Sequence, residues 1–166
     1  APLIKESKRR KLKKVVLMTA FGANADETSP FRRAEVELEK SGLNYAIIRP
    51  NWFMQNFNTF WIHGILNQSK ILLPAGTAQV SFIDARDVSE VAAKLILSDT
   101  FPNQAYDLTG TEAVNHSQVA SAISAATGKS VTYEEIQPED LKKGLVQAGL
   151  PVDYVDFLLL IFSYLR

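Results

Sequence analysis

The sequence predicts an α/β fold built on a mainly parallel sheet, and three observations lead to this prediction. Short apolar runs have the length and composition of buried strands, and they lie near residues 15–19, 43–48 and 105–108. Amphipathic stretches have the apolar spacing of helices, and they lie near residues 30–41, 86–97 and 116–126. The first strand, helix and second strand together have the length of a βαβ crossover, roughly 35 residues, which joins parallel strands.

The first βαβ unit can be read residue by residue. The run Val15–Thr19 is continuously apolar up to its last residue, so we expect this strand to be buried on both faces. Ser29 is predicted to cap the following helix, with Pro30 at the first helical position. The buried stripe of that helix is predicted to be Phe31, Ala34 and Leu38, and Gly42 is predicted to end it.

The later elements follow from caps and apolar spacing. Asp84 and Asn115 are predicted helix caps, each directly before an amphipathic stretch. Further predicted elements are a helix within Trp52–Leu66, strands at Ala78–Ile83 and Val131–Glu135, a helix from Pro138, and an apolar segment from Phe157 to Leu165. With no linker and no repeat in the sequence, we expect residues 1–166 to form a single domain.

Composition narrows the classes of function. Basic and acidic residues number 18 each, so the chain has no net charge, and we do not expect nucleic acid or a membrane as partner. There is no cysteine, which excludes disulfides, thiolate metal sites and cysteine nucleophiles. We expect no metal site, because Asp84 and Asp87 are explained as a helix cap and a first-turn acid, and His63 and His116 as packing or surface residues. A cytoplasmic location is expected.

Three segments together resemble one family. They are VVLMTAFG from Val15, SGLNYAIIRPNWFMQNF from Ser41, and FIDARDV from Phe82. The second is similar to the pattern SGL-x-Y-T-I-L-R-P-x-x-F-M-x-N of the NmrA-like proteins, which are atypical short-chain dehydrogenase/reductases. The other two resemble the central strand and the late helix start of the same superfamily. The resemblance covers most of the chain and implies a Rossmann-type fold that binds NADP or NAD.

The resemblance also implies site residues. Thr19, at the end of the first strand, would face the nicotinamide, and Arg33 would hold the ribose hydroxyls. The segment Pro50, Asn51, Trp52 and Phe53 would lie against the nicotinamide, and Asn56 and Phe57 would contact the substrate. The alternatives are a hydroxyl satisfied within the protein for Thr19, a solvated helix charge for Arg33, and ordinary core for Trp52, Phe53 and Phe57.

Two departures from the family pattern bear on function. The Gly-rich turn G-x-x-G-x-x-G has no counterpart, so we expect this chain to be the C-terminal part of the Rossmann domain, with substrate-side segments near 52–82 and 129–166. Ser29 and Arg33 stand where classical short-chain dehydrogenase/reductases have the Tyr and Lys of Tyr-x-x-x-Lys, so the proton donor of the classical enzymes is absent, a loss that is usual among NmrA-like proteins. The catalytic residues are therefore left unassigned.

The leading hypothesis for function is an NAD(P)-dependent oxidoreductase of the NmrA-like type that reduces a quinone or a small carbonyl compound. The alternative is a non-catalytic NAD(P)-binding regulator that senses redox state and acts through a protein partner. The partner is accordingly a small-molecule substrate or a regulatory protein, and a homo-oligomer is compatible with either hypothesis.

Overall fold

The computed structural model describes residues 2–165 as an α/β protein. The α-helices described are α1 (Pro2–Arg9), α2 (Pro30–Glu39), α3 (Ile62–Gln68), α4 (Ala85–Leu97), α5 (His116–Thr127), α6 (Pro138–Gln147) and α7 (Val152–Ser163). The strands described are β1 (Val15–Met18), β2 (Tyr45–Pro50), β3 (Lys70–Leu73), β4 (Gln104–Leu108) and β5 (Thr132–Glu135). Two short 3-10 helices lie at Ala23–Ala25 and Met54–Asn58.

The chain divides into two compact units. Unit 1 holds the residues up to Met54 together with Phe82–Thr111, and unit 2 holds Gln55–Ser81 together with the residues from Glu112 onward. The sheet of unit 1 is parallel and has the strand order β1-β2-β4, with Val15 opposite Tyr45 and Ile48 opposite Tyr106. The predicted parallel α/β sheet is therefore confirmed.

Both faces of the unit 1 sheet are covered by helices. On one face, Ala46 and Ile48 of β2 pack with Val88 and Leu95 of α4. Ile47 points to the other face and packs with α1 and α2. This alternation follows from the two-residue period of a strand, which places successive side chains on opposite faces of the sheet.

Strand β1 differs from its prediction. Its first three residues are only partly buried, and Met18 is 54% exposed, so the expectation of burial on both faces is wrong for this strand. The physical reason is its position, because among the described residues β2 is the only strand that pairs with β1. An edge strand keeps part of its surface in solvent whatever its composition.

The predicted caps are confirmed at two of three helices. The Asp84 carboxylate accepts a hydrogen bond from the Arg86 backbone, and Asn115 forms a reciprocal capping box with Gln118. Ser29 precedes α2 as predicted, but its side chain makes no capping hydrogen bond.

Unit 2 contains a second parallel pair, β3 with β5. Strand β3 was not predicted, and the strand expected at Ala78–Ile83 reduces to isolated bridges, Val80 with Val114 and Ile83 with Phe53. The helix expected within Trp52–Leu66 is a 3-10 helix followed by α3. Within residues 2–165, no helix is long and apolar enough to cross a membrane, and no three potential metal ligands lie together.

Gly64 gives a prediction about the stability of unit 2. A Cβ on this residue would lie 2.8 Å from the Lys70 carbonyl oxygen, which belongs to the backbone and has little room to move. We expect Gly64→Ala to lower the free energy of unfolding by about 1–2 kcal/mol, because overpacking outweighs the gain in helix propensity. Gly144→Ala is the matched control, since that helical glycine has open space around it, and it should stabilise by about 0.5–1 kcal/mol. The measurement is urea unfolding of both variants. Equal changes in their free energies of unfolding would contradict the prediction.

Candidate functional site

The carboxyl ends of the three parallel strands of unit 1 meet at one edge of the sheet. The Thr19 backbone N–H donates to the Ile48 carbonyl over 3.0 Å, and the Phe21 N–H donates to the Pro50 carbonyl over 3.0 Å. The Asn51 N–H donates to the Leu108 carbonyl over 2.8 Å. These bonds hold the segments that follow β1 and β2 at fixed positions. Open parallel sheets bind ligands at this edge.

A buried ion pair lies beneath this edge, on the α2 face. Glu35 of α2 is fully buried, and Arg49 near the end of β2 is 8% exposed. Arg49 Nε lies 2.9 Å from Glu35 Oε1 and Arg49 Nη2 lies 2.7 Å from Oε2, which is a bidentate pair. Such a pair fixes the direction of both side chains as well as supplying attraction.

Three further groups complete this cluster, which we call the Glu35 cluster. The Thr19 hydroxyl lies 2.6 Å from Glu35 Oε1, and Arg32 Nη1 lies 3.1 Å from Glu35 Oε2. Asp107 of β4 lies 3.7 Å from Arg49 Nη1 and is half exposed. The Glu35 cluster therefore joins helix α2 to the ends of all three strands.

Glu35 is ionised at neutral pH. Burial by itself raises the pKa of the Glu35 carboxyl, but hydrogen bonds from Arg49, Thr19 and Arg32 outweigh it and hold the pKa below its usual value. The hydrogen bond to Glu35 also raises the pKa of Arg49. The pair is thus a carboxylate and a guanidinium, and its carboxylate oxygens can only accept hydrogen bonds.

The predicted cofactor-side residues after β2 fall at the same edge. Pro50 ends the strand in register with Leu108, and the side-chain oxygen of Asn51 accepts from the Trp52 backbone over 2.8 Å. The Trp52 carbonyl accepts from the Ile83 N–H over 2.9 Å. Phe53 pairs with Ile83 and packs against the α4 side of the core.

Among residues 2–165, neither the Arg33 nor the Ser29 side chain makes a hydrogen bond to a member of the Glu35 cluster. Arg33 is exposed on α2 and makes no ion pair with any residue between 2 and 165. Its neighbour Arg32 is the residue that reaches Glu35, and it also lies 2.8 Å from Glu39. The ribose role of Arg33 stays a prediction.

The predicted substrate residues Asn56 and Phe57 belong to unit 2. The Phe57 ring packs edge to face on Trp61, with ring centroids 4.8 Å apart. The same aromatic cluster contains His116, whose ring centroid lies 5.5 Å from that of Tyr133. His116 is therefore a packing residue, and His63 is exposed, as the sequence predicted.

Glu35 was missed by the sequence reading, although a signal for it exists. Arg49 lies within a run of buried strand residues, and a buried arginine needs an anionic partner. Glu35 is three residues before Leu38, so both share one face of α2. A search for the partner of Arg49 on that face would have found it.

An open cleft of about 410 Å³ lies at the opposite, amino-terminal end of the same strands. Its lining residues are Lys13, Lys14, Asn44, Asp99, Phe101 and Asn103. The Lys14 ammonium already donates to the Leu95 and Ser98 carbonyls at the end of α4. The cleft offers a comparison surface for binding experiments.

Comparison with known proteins identifies the family. Residues 32–165 match the sequence profile of the NmrA-like family. The chain belongs to the NmrA-like family. The match includes the Glu35 cluster apart from Thr19, and it contains two of the three sequence segments, those from Ser41 and Phe82. It confirms the resemblance to this family.

Individual relatives agree with this assignment. The chain is 29% identical over 165 residues to prestalk A differentiation protein A of Dictyostelium discoideum, covering 99% of this chain and 54% of that protein. It is 32% identical over 160 residues to the NAD(P)H azoreductase of Xenophilus azovorans, covering 94% and 56%. This member of the NmrA-like family thus spans a little over half the length of these curated relatives.

A solved structure shares the fold. The NADPH complex of the NADPH-dependent quinone oxidoreductase from Escherichia coli superimposes with a TM-score of 0.81 at 24% identity, over 97% of this chain and 57% of that one. At this identity the likeness establishes the fold, which is the Rossmann-like α/β arrangement of NmrA-like proteins.

Proposed function

We propose that this chain is the nicotinamide-side part of an NAD(P)H-dependent oxidoreductase that reduces quinone-like acceptors. The observation that carries the proposal is the parallel sheet edge at which the Glu35 cluster anchors Thr19, in a chain of the NmrA-like family. The names of two relatives, an NAD(P)H azoreductase and an NADPH-dependent quinone oxidoreductase, support the cofactor and the class of acceptor.

The residues at this edge fit the nicotinamide end of such a cofactor. Thr19 offers a hydroxyl of fixed direction and stays partly exposed, and Asn51 and Trp52 follow the neighbouring strand with polar and aromatic groups. The pyrophosphate end requires a glycine-rich turn before a helix, and the printed sequence contains no G-x-x-G-x-x-G. We therefore assign Thr19 and Pro50–Phe53 to the nicotinamide side. The substrate side is assigned to Asn56 and Phe57 and to the segments near 52–82 and 129–166, apart from Trp52 and Phe53.

When bound, the cofactor supplies a hydride, and the chain's own residues position it rather than protonate the product. Ser29 replaces the acidic tyrosine, and the Thr19 proton is directed to Glu35. Acceptors that need little acid assistance are therefore favoured. A quinone that takes up hydride becomes a phenolate-like anion, a much weaker base than the alkoxide formed from a simple carbonyl compound, so quinones fit this site better.

The test is turnover by the protein as its own gene encodes it. We expect NADPH or NADH oxidation with a small naphthoquinone at a rate at least tenfold above that with an aliphatic aldehyde. Aldehyde reduction at an equal rate would contradict the proposed acceptor class, and cofactor binding without turnover of either would remove the enzyme assignment.

A non-catalytic redox-sensing regulator is the second candidate. Two observations favour it, the missing proton donor and the relative from Dictyostelium discoideum whose name refers to differentiation. Two measurements would distinguish such a regulator from an enzyme. NAD(P) would change the affinity of the regulator for its protein partner, and quinone would be reduced only at the uncatalysed rate.

The 166-residue chain itself should bind NAD(P) weakly. It supplies nicotinamide-side contacts but no glycine-rich turn to receive the pyrophosphate, which in Rossmann proteins sits on a helix N-terminus. Titration of intrinsic fluorescence with NADPH and NADH is the measurement, after intact mass has verified the chain. Low-micromolar binding would contradict the prediction and require a phosphate site elsewhere, with Arg33 as the first residue to replace.

A further inference from the structure

The hydrogen bond between Thr19 and Glu35 has a fixed direction. Glu35 is fully buried and ionised, held by the bidentate Arg49 and by Arg32, so both its oxygens act as acceptors. The 2.6 Å contact with Oε1 therefore uses the hydroxyl proton of Thr19. A threonine hydroxyl has one proton and two lone pairs, so only its acceptor sites remain for another molecule.

Thr19 lies where a ligand could use the free acceptor sites of its hydroxyl. Its backbone N–H is bonded to the Ile48 carbonyl, which fixes the residue at the carboxyl edge of the sheet. The side chain is tied to a helix below the edge by Glu35, yet the residue is partly exposed. The hydroxyl oxygen is thus held in place at the edge where this fold binds ligands.

We propose that Thr19 is a specificity-determining hydrogen-bond acceptor, oriented by the Glu35–Arg49 pair, that accepts an N–H of the nicotinamide carboxamide. The assignment rests on the proposed function, and it gives Thr19 a role opposite to that of a hydroxyl that donates to a substrate carbonyl. Glu35 and Arg49 are positioning residues, since they act on the ligand through Thr19.

The polarity has a chemical consequence for cofactor choice. A carboxamide presents two N–H donors beside its carbonyl, whereas an acetyl group of nearly the same shape presents a methyl group. An oriented acceptor opposite that position favours the carboxamide and leaves its own lone pair unsatisfied against the methyl group. The carboxamide form is therefore expected to bind about five- to tenfold more tightly than the acetyl form, which corresponds to one neutral hydrogen bond.

The test uses the protein as its own gene encodes it and two probes, NADPH and its reduced 3-acetylpyridine analogue, each titrated to a dissociation constant. The wild type should bind NADPH about five- to tenfold more tightly than the analogue. Thr19→Val should bring the ratio close to one, and Thr19→Ser should keep it. Glu35→Gln should also lower the ratio, because a glutamine amide can donate and lets the hydroxyl reverse its direction.

A second readout needs no ligand. The Thr19 hydroxyl proton, shielded in its bond to Glu35, should appear by NMR as a slowly exchanging resonance that vanishes in Thr19→Val. Equal affinity of the wild type for both probes, or an unchanged ratio in Thr19→Val, would overturn the inference while leaving the proposed function intact. Binding of neither probe would overturn the proposed function and this inference with it.

Discussion

Glu35→Ala is expected to lower the free energy of unfolding of unit 1 by about 3–5 kcal/mol. The substitution leaves the guanidinium of Arg49 buried, with the half-exposed Asp107 as its remaining partner in the Glu35 cluster. It also takes away the acceptor of the Thr19 hydroxyl. An uncompensated buried charge is among the few changes that destabilise a domain this much.

The measurement is urea unfolding followed by tryptophan fluorescence. The chain has two tryptophans, and in a Trp61→Phe background the signal comes from Trp52, which lies in unit 1. Glu90→Ala is the matched control, because Glu90 pairs with Lys94 on the exposed surface of α4 and should contribute about 0.5 kcal/mol or less.

The double replacement Glu35→Leu with Arg49→Leu tests whether the destabilisation comes from the unpaired charge or from lost packing. It removes both charges, so it should destabilise less than Glu35→Ala. If Glu35→Ala lowered the free energy of unfolding no more than Glu90→Ala does, the stabilising role of the ion pair would be contradicted.

The stability of unit 2 is expected to fall as the pH drops from about 6.5 to about 4. His116 is 1% exposed among the rings of Phe57, Trp61 and Tyr133. Desolvation by burial lowers the pKa of His116 from 6.5 to about 4. Between these two values the unfolded chain binds a proton that the folded chain does not, so stability decreases with falling pH. The full loss is about 3 kcal/mol, and His116 adds no further loss below pH 4.

Urea unfolding at several pH values, in a Trp52→Phe background, makes Trp61 the reporter of unit 2. His116→Phe should flatten the dependence between pH 6.5 and 5, where few carboxyl groups titrate. The same slope in wild type and His116→Phe would show that another group is responsible.

Local chemistry made much of the fold predictable from sequence. The caps at Asp84 and Asn115 and the apolar stripe of α4 are signals carried by neighbouring residues, and the structure agrees with them. Apolar runs gave the strands of the main sheet to within one or two residues. Family resemblance supplied the fold type, because three separate motifs occur in the right order.

The features that were missed depend on contacts between distant residues. The predicted face of α2 was Phe31, Ala34 and Leu38, but Phe31 is exposed and Glu35 is buried, since Arg49 from another strand neutralises it. A reading based on apolar spacing assigns a glutamate to the solvent face and cannot detect such a pair. Strand β3 was missed because four residues directly after a helix carry little periodicity, and its partner β5 lies about 60 residues later.

The claim that the carboxyl edge of the unit 1 sheet receives the nicotinamide is tested most directly by NMR. Backbone amide shifts of the protein as its own gene encodes it are recorded during titration with NADPH, and again with 2′,5′-ADP, which lacks the nicotinamide. We expect nicotinamide-dependent shifts at Thr19, Asn51 and Trp52. This expectation would be contradicted if the shifts caused by NADPH were confined to the amino-terminal cleft around Lys13 and Asn103, or if 2′,5′-ADP produced the same shifts at Thr19, Asn51 and Trp52.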